Sequence, residues 1–296
     1  MTVSGALPID KEAGCSSARA VADARGLFGG VKAGHAGTLD PAATGVLTVM
    51  LGEATGFLRF LPRDKTYRAE IVFGAATDTD DACGEIIFRG TPPRDLRSAV
   101  REVLPHFVGE YEQTAPAYSA LKHAGRPMHY YARNGISAPA KRRKVEAREL
   151  RIESAEGERA TLHVRCGGGF YVRALARDIG ESLRCGAHLA ALRRTRCAPF
   201  DSAAPLREVA AASPEERSPK YVASLAATLS HLPRRDLDGD AARALGGGRE
   251  INGTDGIDGS EERVRFFCEG RFAGVGAVSG GRARGEKMLS WTREAR

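Results

Sequence analysis

From Gly34 to Leu51 the chain reads GHAGTLDPAATGVLTVML, and the second half of this stretch is the firmest constraint on the fold. AATGVLTVMLG is too apolar for a surface loop and must enter a core, as helix or strand. The first half is the opposite. His35 and Asp40 are its only side chains capable of acid–base chemistry, set among glycines, alanines and a proline in a chain that is 27% charged. Asp before Pro is an ordinary helix start, with Asp40 as N-cap and Pro41 at the first helical position. The competing reading is a loop built to present a carboxylate. Pro41 keeps Asp40 out of the α region, and Gly34 and Gly37 let the loop lie close to a ligand.

Periodicity organises the rest. Ser16 and Ser17 precede ARAVADARGLF, where Val21, Ala24 and Phe28 recur at helical spacing, predicting a capped helix before Gly29 and Gly30. TYRAEIVFG (66–74) and EIIF (85–88) have strand character and flank TDTDDACG, predicting a hairpin-like pair. Asp78, Asp80 and Asp81 do not make a calcium loop, because Ala82, Cys83 and Arg89 stand at ligand, glycine and bidentate-acid positions, so a solvated turn is expected. DLRSAVREVL (95–104) predicts an amphipathic helix closed before Pro105. ATLHVRC (160–166) alternates like a strand and leads through Gly167–Gly169 into FYVRALARDIGESLRCG. There Val172, Leu175, Ala176, Ile179 and Leu183 mark one helical face. Residues 210–232 form a polar-to-helical connector, after which short Gly-punctuated apolar runs predict a small barrel-like β module.

A chain of 296 residues exceeds the roughly 100 to 200 of one domain, so two units are expected, 1–232 and 233–296. No apolar run approaches the roughly 20 residues needed to span a bilayer, and the N-terminus lacks a basic region followed by an apolar stretch, so a cytoplasmic protein is expected. The six cysteines form neither a C-x-x-C pair nor a metal-like spacing, which points to reduced structural thiols. A formal charge of +7 favours a polyanionic partner. Two clusters, Lys141, Arg142, Arg143 and Lys144, and Arg193, Arg194 and Arg196, are candidate phosphate contacts or simply solvated faces.

GHAGTLDPAATGVLTVMLGEAT resembles the G-H-x-G-x-L-D-P-x-A-T-G-x-L signature of the TruB family, the bacterial tRNA pseudouridine(55) synthases. LPIDKEAGCSS is similar to that family's L-x-x-x-K-P-x-G-x-x-S segment. KTYRAEIVFGAATDTDDACGE, YSALKHAGRPMHYYARNG and GGGFYVRALARDIGESLRCGAHLAALRRT extend the likeness over nearly the whole chain. The resemblance implies an α+β pseudouridine-synthase fold, a mixed, largely antiparallel bifurcated sheet with flanking helices, and a C-terminal PUA-like RNA-binding module. The implied substrate is uridine 55 in the T-stem loop of tRNA, with no cofactor, metal or membrane and a monomeric enzyme.

It also implies roles. Asp40 matches the catalytic aspartate, adding to ribose C1' or to uracil C6, routes the sequence leaves open. Arg173 matches its arginine partner, which favours the ionised carboxylate. Tyr67 matches the tyrosine that stacks on the base and helps remove the C5 proton, Tyr171 and Leu192 match the uracil pocket, and His35 matches the histidine that fills the space of the flipped nucleotide. Each has a plainer reading: surface arginine, core aromatic, helix packing, structural histidine. Two positions depart from the pattern: Gly56, where the family carries lysine, and Glu12, where it carries proline. Gly56 removes one possible phosphate contact. An RNA-binding and folding module that does not depend on catalysis is the alternative function. A guide-directed subunit fits less well with so short a C-terminal module.

Overall fold

The computed structural model describes residues 3–119, 122–134, 136, 139, 141–252 and 261–294, so part of the YSALKHAGRPMHYYARNG segment lies outside the described residues. The apolar run enters the core as a strand, Thr44–Leu51, buried from Gly45 onward. Burial on both faces explains why it reads as a continuous apolar run rather than an alternation. No helix starts at Pro41. One edge of this strand pairs antiparallel with Gly5–Lys11. The other divides: Thr44 and Gly45 run parallel to Arg193 and Arg194, whereas Val49 to Leu51 pair with Ala33–His35. This is where the sheet forks.

Among the described residues the large sheet has nine strands. It runs Ala204–Pro205, Gly5–Lys11, Thr44–Leu51, Ala187–Cys197, Lys65–Phe73, Arg159–Cys166, Arg142–Glu156 and Gly109–Thr114, with Ala33–His35 on the fork. Two of its pairings are parallel and the rest antiparallel, the mixed sheet expected. Helix Ser17–Leu27 is capped by Ser16, whose hydroxyl accepts from the Arg19 N–H, and helix Leu96–Val103 by Asp95, which accepts from the Ser98 N–H. Both caps satisfy amides that the first turn leaves unpaired. Pro105 does not stop the chain winding but opens a 3-10 turn, Leu104–Phe107. Helix Val172–Ser182 buries Val172, Leu175, Ala176 and Ile179 against the sheet, the face its spacing marks.

The hairpin expectation is corrected. Lys65–Phe73 is an interior strand paired with Arg159–Cys166 and Ala187–Cys197, and the short strand Ile86–Arg89 pairs instead with Ala75–Thr77. Alternation identifies strands but carries no information about partners.

Beyond residue 232 the described residues form a five-stranded sheet from Arg234–Leu237, Ile251–Asn252, Glu262–Cys268, Arg271–Ser279 and Arg282–Met288, with a helix at Gly239–Gly246. The two sheets share a core in which Met50, Phe57, Phe60 and Leu61 meet Leu225, Phe267, Phe272 and Val275. Phe57 touches both Phe60 and Phe272 at ring-centroid distances of 6.0 and 5.7 Å. No helix among the described residues is long and apolar enough to cross a membrane.

Candidate active site

The loop from Gly37 to Pro41 has no regular structure, yet each of its carbonyls has a donor. Arg194 donates to Gly37 O at 3.2 Å and Thr38 O at 3.4 Å, and its Nε donates to Val46 O at 2.7 Å. The Ser17 hydroxyl donates to Leu39 O at 2.9 Å and accepts from the Leu39 N–H at 2.8 Å. The Ala43 N–H donates to Asp40 O, and both the Gly14 N–H and the Lys11 ammonium donate to Pro41 O. Lys11, Gly14 and Ser17 are the K, G and S of the N-terminal segment quoted above. Their spacing is therefore explained by the two carbonyls flanking Asp40. Sequence reasoning quoted these residues without giving them work.

Held this way, Asp40 meets Arg173 on helix Val172–Ser182. Arg173 Nε lies 2.9 Å from Asp40 Oδ2 and Nη2 donates to Oδ1 at 3.3 Å, a two-pronged grip. The rest of the guanidinium donates to Thr79 O at 3.1 Å and Tyr118 O at 3.0 Å and lies 3.4 Å from Asp81. The Arg173 side chain is 7% exposed and that of Asp40 is 41%. The arginine is thus fixed from behind while the carboxylate stays open toward the cleft. That cleft, about 700 Å³, is lined by Asp40, Lys65, Tyr67, Tyr118, Phe170, Tyr171, Arg173 and Leu192 among others. Its aromatic faces suit a planar base. A second opening of about 310 Å³, lined by Arg63, Asp64, Glu110, Lys144, Glu146 and Arg148, has no aromatic wall.

Tyr67 is 8% exposed and sits opposite Arg194 in the strand register. Burial pushes its phenol up to about 12, with the Arg194 charge acting the other way. Tyr171 is held through its backbone by buried Gln113, which donates to Tyr171 O at 3.0 Å and accepts from the Tyr171 N–H at 2.9 Å. Leu192 lies on a strand rather than a helix and faces the cleft. His35 is not among the cleft-lining residues. It ends the Ala33–His35 strand half-buried, its Nδ1 enclosed without a hydrogen-bond partner, and burial followed by the Arg194 charge lowers its pKa.

Three expectations are corrected. Arg194 is 1% exposed and holds the Asp40 loop, so it is no surface phosphate contact, whereas Arg193 stays half exposed and pairs with Asp10 at 2.7 Å. Arg142 to Lys144 lie on the strand Arg142–Glu156, paired with Gly109–Thr114, where alternation splits the run. Arg142 and Lys144 are exposed, whereas Arg143 turns inward to Gly169. Of the three aspartates in the turn only Asp78 is exposed. Asp80 is 9% exposed and bound to Arg177 at 2.8 Å, and Asp81 backs Arg173. Cys83 is the exposed exception among the thiols and lines the cleft.

The description "TruB family pseudouridylate synthase (N terminal domain)" belongs to a family model that matches residues 25–172, and that of a "tRNA pseudouridylate synthase B C-terminal domain" matches 173–230. The chain belongs to the TruB family. Its similarity to other members spans nearly its full length. The tRNA pseudouridine synthase B of Azoarcus sp. (strain BH72) is 42% identical over 97% of this chain and 95% of its own. That of Chromohalobacter salexigens is 40% identical over 94% and 91%. Among solved structures, a Cbf5-Nop10-Gar1 complex superposes with a TM-score of 0.74 at 24% identity, covering 98% of this chain and 86% of the other. An H/ACA RNP bound to a substrate RNA containing 2'-deoxyuridine gives 0.71 at 23% identity, covering 96% and 84%. At that identity the likeness supports the TruB fold, the pseudouridine-synthase architecture, and nothing narrower.

Proposed function

We propose that this TruB-family chain isomerises uridine 55 in the T-stem loop of tRNA to pseudouridine, acting as a cytoplasmic monomer. The observation that carries the reading is Asp40 gripped by Arg173 at the floor of an aromatic-lined cleft. Isomerisation breaks the C1'–N1 bond and forms C1'–C5, and the proton lost at C5 is matched by one gained at N1. The carboxylate that adds to C1' or C6 must be ionised. The doubly donating guanidinium stabilises that form, and the cleft leaves the carboxylate accessible. Tyr67 supplies a ring for the flipped base. Because its phenol is neutral at physiological pH, taking the C5 proton requires the hydroxyl to release its own in the same step. Phe170, Tyr171 and Leu192 complete the apolar walls. His35, half-buried at the end of the Ala33–His35 strand with its pKa lowered by burial, is proposed to fill the space the base has left. The residues beyond 232 are proposed as the PUA-like RNA-binding module, with the exposed Arg142 and Lys144 as further phosphate contacts. The complete Asp40–Arg173 pair favours catalysis over a purely RNA-folding module, and relatives at about 40% identity bearing the synthase name favour the stand-alone enzyme over a guided subunit.

Tritium release from C5-labelled uridine in a tRNA transcript tests this. The parent should release label, and a transcript with cytidine at position 55 should not. Asp40→Asn should keep the fold and tRNA binding but lose essentially all turnover, because an amide cannot act as the attacking carboxylate. Turnover retained in that variant would remove Asp40 from the mechanism.

A further inference from the structure

We propose that Lys287, on the C-terminal sheet, stands in for the lysine the family carries at position 56 and takes a phosphate of the bound RNA there. Gly56 lies in the 3-10 segment Gly52–Phe60 that links the Thr44–Leu51 and Lys65–Phe73 strands. A Cβ built at Gly56 would meet Lys287 Cε at 2.6 Å, Cδ at 3.3 Å and Nζ at 3.5 Å. The backbone at 56 is not in the left-handed region, so its own conformation does not require glycine. The end of the Lys287 side chain fills the space a side chain at 56 would take; it could swing aside, but two lysine ammoniums brought together there would repel each other. One cation therefore occupies the site, reached from the other sheet.

Its charge is available. Lys287 forms no hydrogen bond or ion pair among the described residues, and the neighbouring carboxylates are engaged elsewhere. Glu286 takes Arg263 at 3.3 Å and Arg59 at 3.9 Å, and Glu53 accepts the Ser290 N–H. Arg59 and Arg263, 60% and 49% exposed, keep the surroundings basic. The 3-10 segment that carries the position also lies against the GHAGTLDP stretch. A Cβ at Gly34, which opens the GHAGTLDP stretch, would lie 3.3 Å from Leu58 Cδ1 of the same 3-10 segment, and that segment leads directly to cleft-lining Lys65. An ammonium at the seam of two sheets, with no carboxylate on it among the described residues, is the chemistry that pairs with an RNA backbone phosphate and displaces a counterion.

The inference rests on the tRNA reading above, and the test separates the two. Dissociation constants for an unmodified tRNA transcript are measured over roughly 50 to 300 mM salt, with turnover of the parent read on the same RNA. Lys287→Gln, which keeps most of the stem, and Lys287→Ala should each weaken binding about three- to tenfold and reduce the salt slope by about one. The loss should fall on Kd and KM rather than on the single-turnover rate at saturation. Gly56→Lys combined with Lys287→Ala should restore both affinity and slope, because the space is then free. A parent that turns over tRNA while Lys287→Gln binds equally well overturns this inference alone, as does a double variant, folded by its melting curve, that stays as weak as Lys287→Ala. A parent that neither binds nor modifies tRNA removes the functional reading and this inference with it.

Discussion

Tyr67 joins two groups that substitution can separate, a ring facing the cleft and a hydroxyl held neutral by burial. Tyr67→Phe keeps the ring, so tRNA affinity should stay near the parent's while turnover drops sharply. Tyr67→Leu removes the stacking face as well and should cost about 1 to 3 kcal/mol in binding. Dissociation constants and single-turnover rates for the two variants decide the matter. A Phe variant as active as the parent would leave the hydroxyl without a role, and equal binding by both would do the same for the stack. At this scale the sequence was most legible: Asp40, Tyr67, Arg173, Tyr171 and Leu192, separated by up to 152 positions, line one cleft. Arg194 was illegible for a physical reason. Three arginines in a short run read as surface charge, and only the pairing of Arg194 opposite Tyr67 and beside Gly45 shows that one is buried. Gly45 has φ +104, and a side chain there would strike the Arg194 backbone, so glycine lets the strands close and bring the guanidinium beneath the loop.

Among the elements, the turn between Thr77 and Glu85 departs furthest from its sequence pattern, because three aspartates in nine residues look solvated. What reverses that reading is a pair of arginines one helical turn apart, Arg173 and Arg177, facing Asp81 and Asp80 from the Val172–Ser182 helix. Burial raises the Asp80 carboxyl from 3.8 to about 6, against the pull of Arg177 and Arg173. The folded protein therefore binds that proton more tightly than the unfolded chain does. Its contribution to stability is complete below about pH 4 and is lost as pH rises through 6. Asp80→Asn cannot titrate. The melting temperature of the parent relative to this variant should accordingly fall by a few degrees between pH 4 and 7. Parallel pH profiles for the two proteins would show that Asp80 titrates as a free carboxyl.

For the molecule as a whole, the change of composition near residue 232 marks a new sheet but conceals how that sheet is attached. The 3-10 segment Gly52–Phe60 contributes Phe57 and Phe60 to a core whose other wall is Phe267, Phe272 and Val275. That same segment passes Gly34 on one side and Lys287 on the other. Removing residues 233–296 would strip one wall from these side chains and expose a contiguous apolar patch, a liability for solubility. The two units should therefore melt together rather than in sequence. Phe57 is fully buried at the junction, and Phe57→Ala should cost about 3 to 5 kcal/mol through lost contacts and the cavity left behind. The informative feature is the shape of the calorimetric trace. A single transition moved to lower temperature by Phe57→Ala is expected, since the cavity weakens a core both sheets need. Two transitions in the parent, or a Phe57→Ala variant in which only one part of the trace moves, would mean that the sheets fold independently and that the seam serves only to bring Lys287 against Gly56.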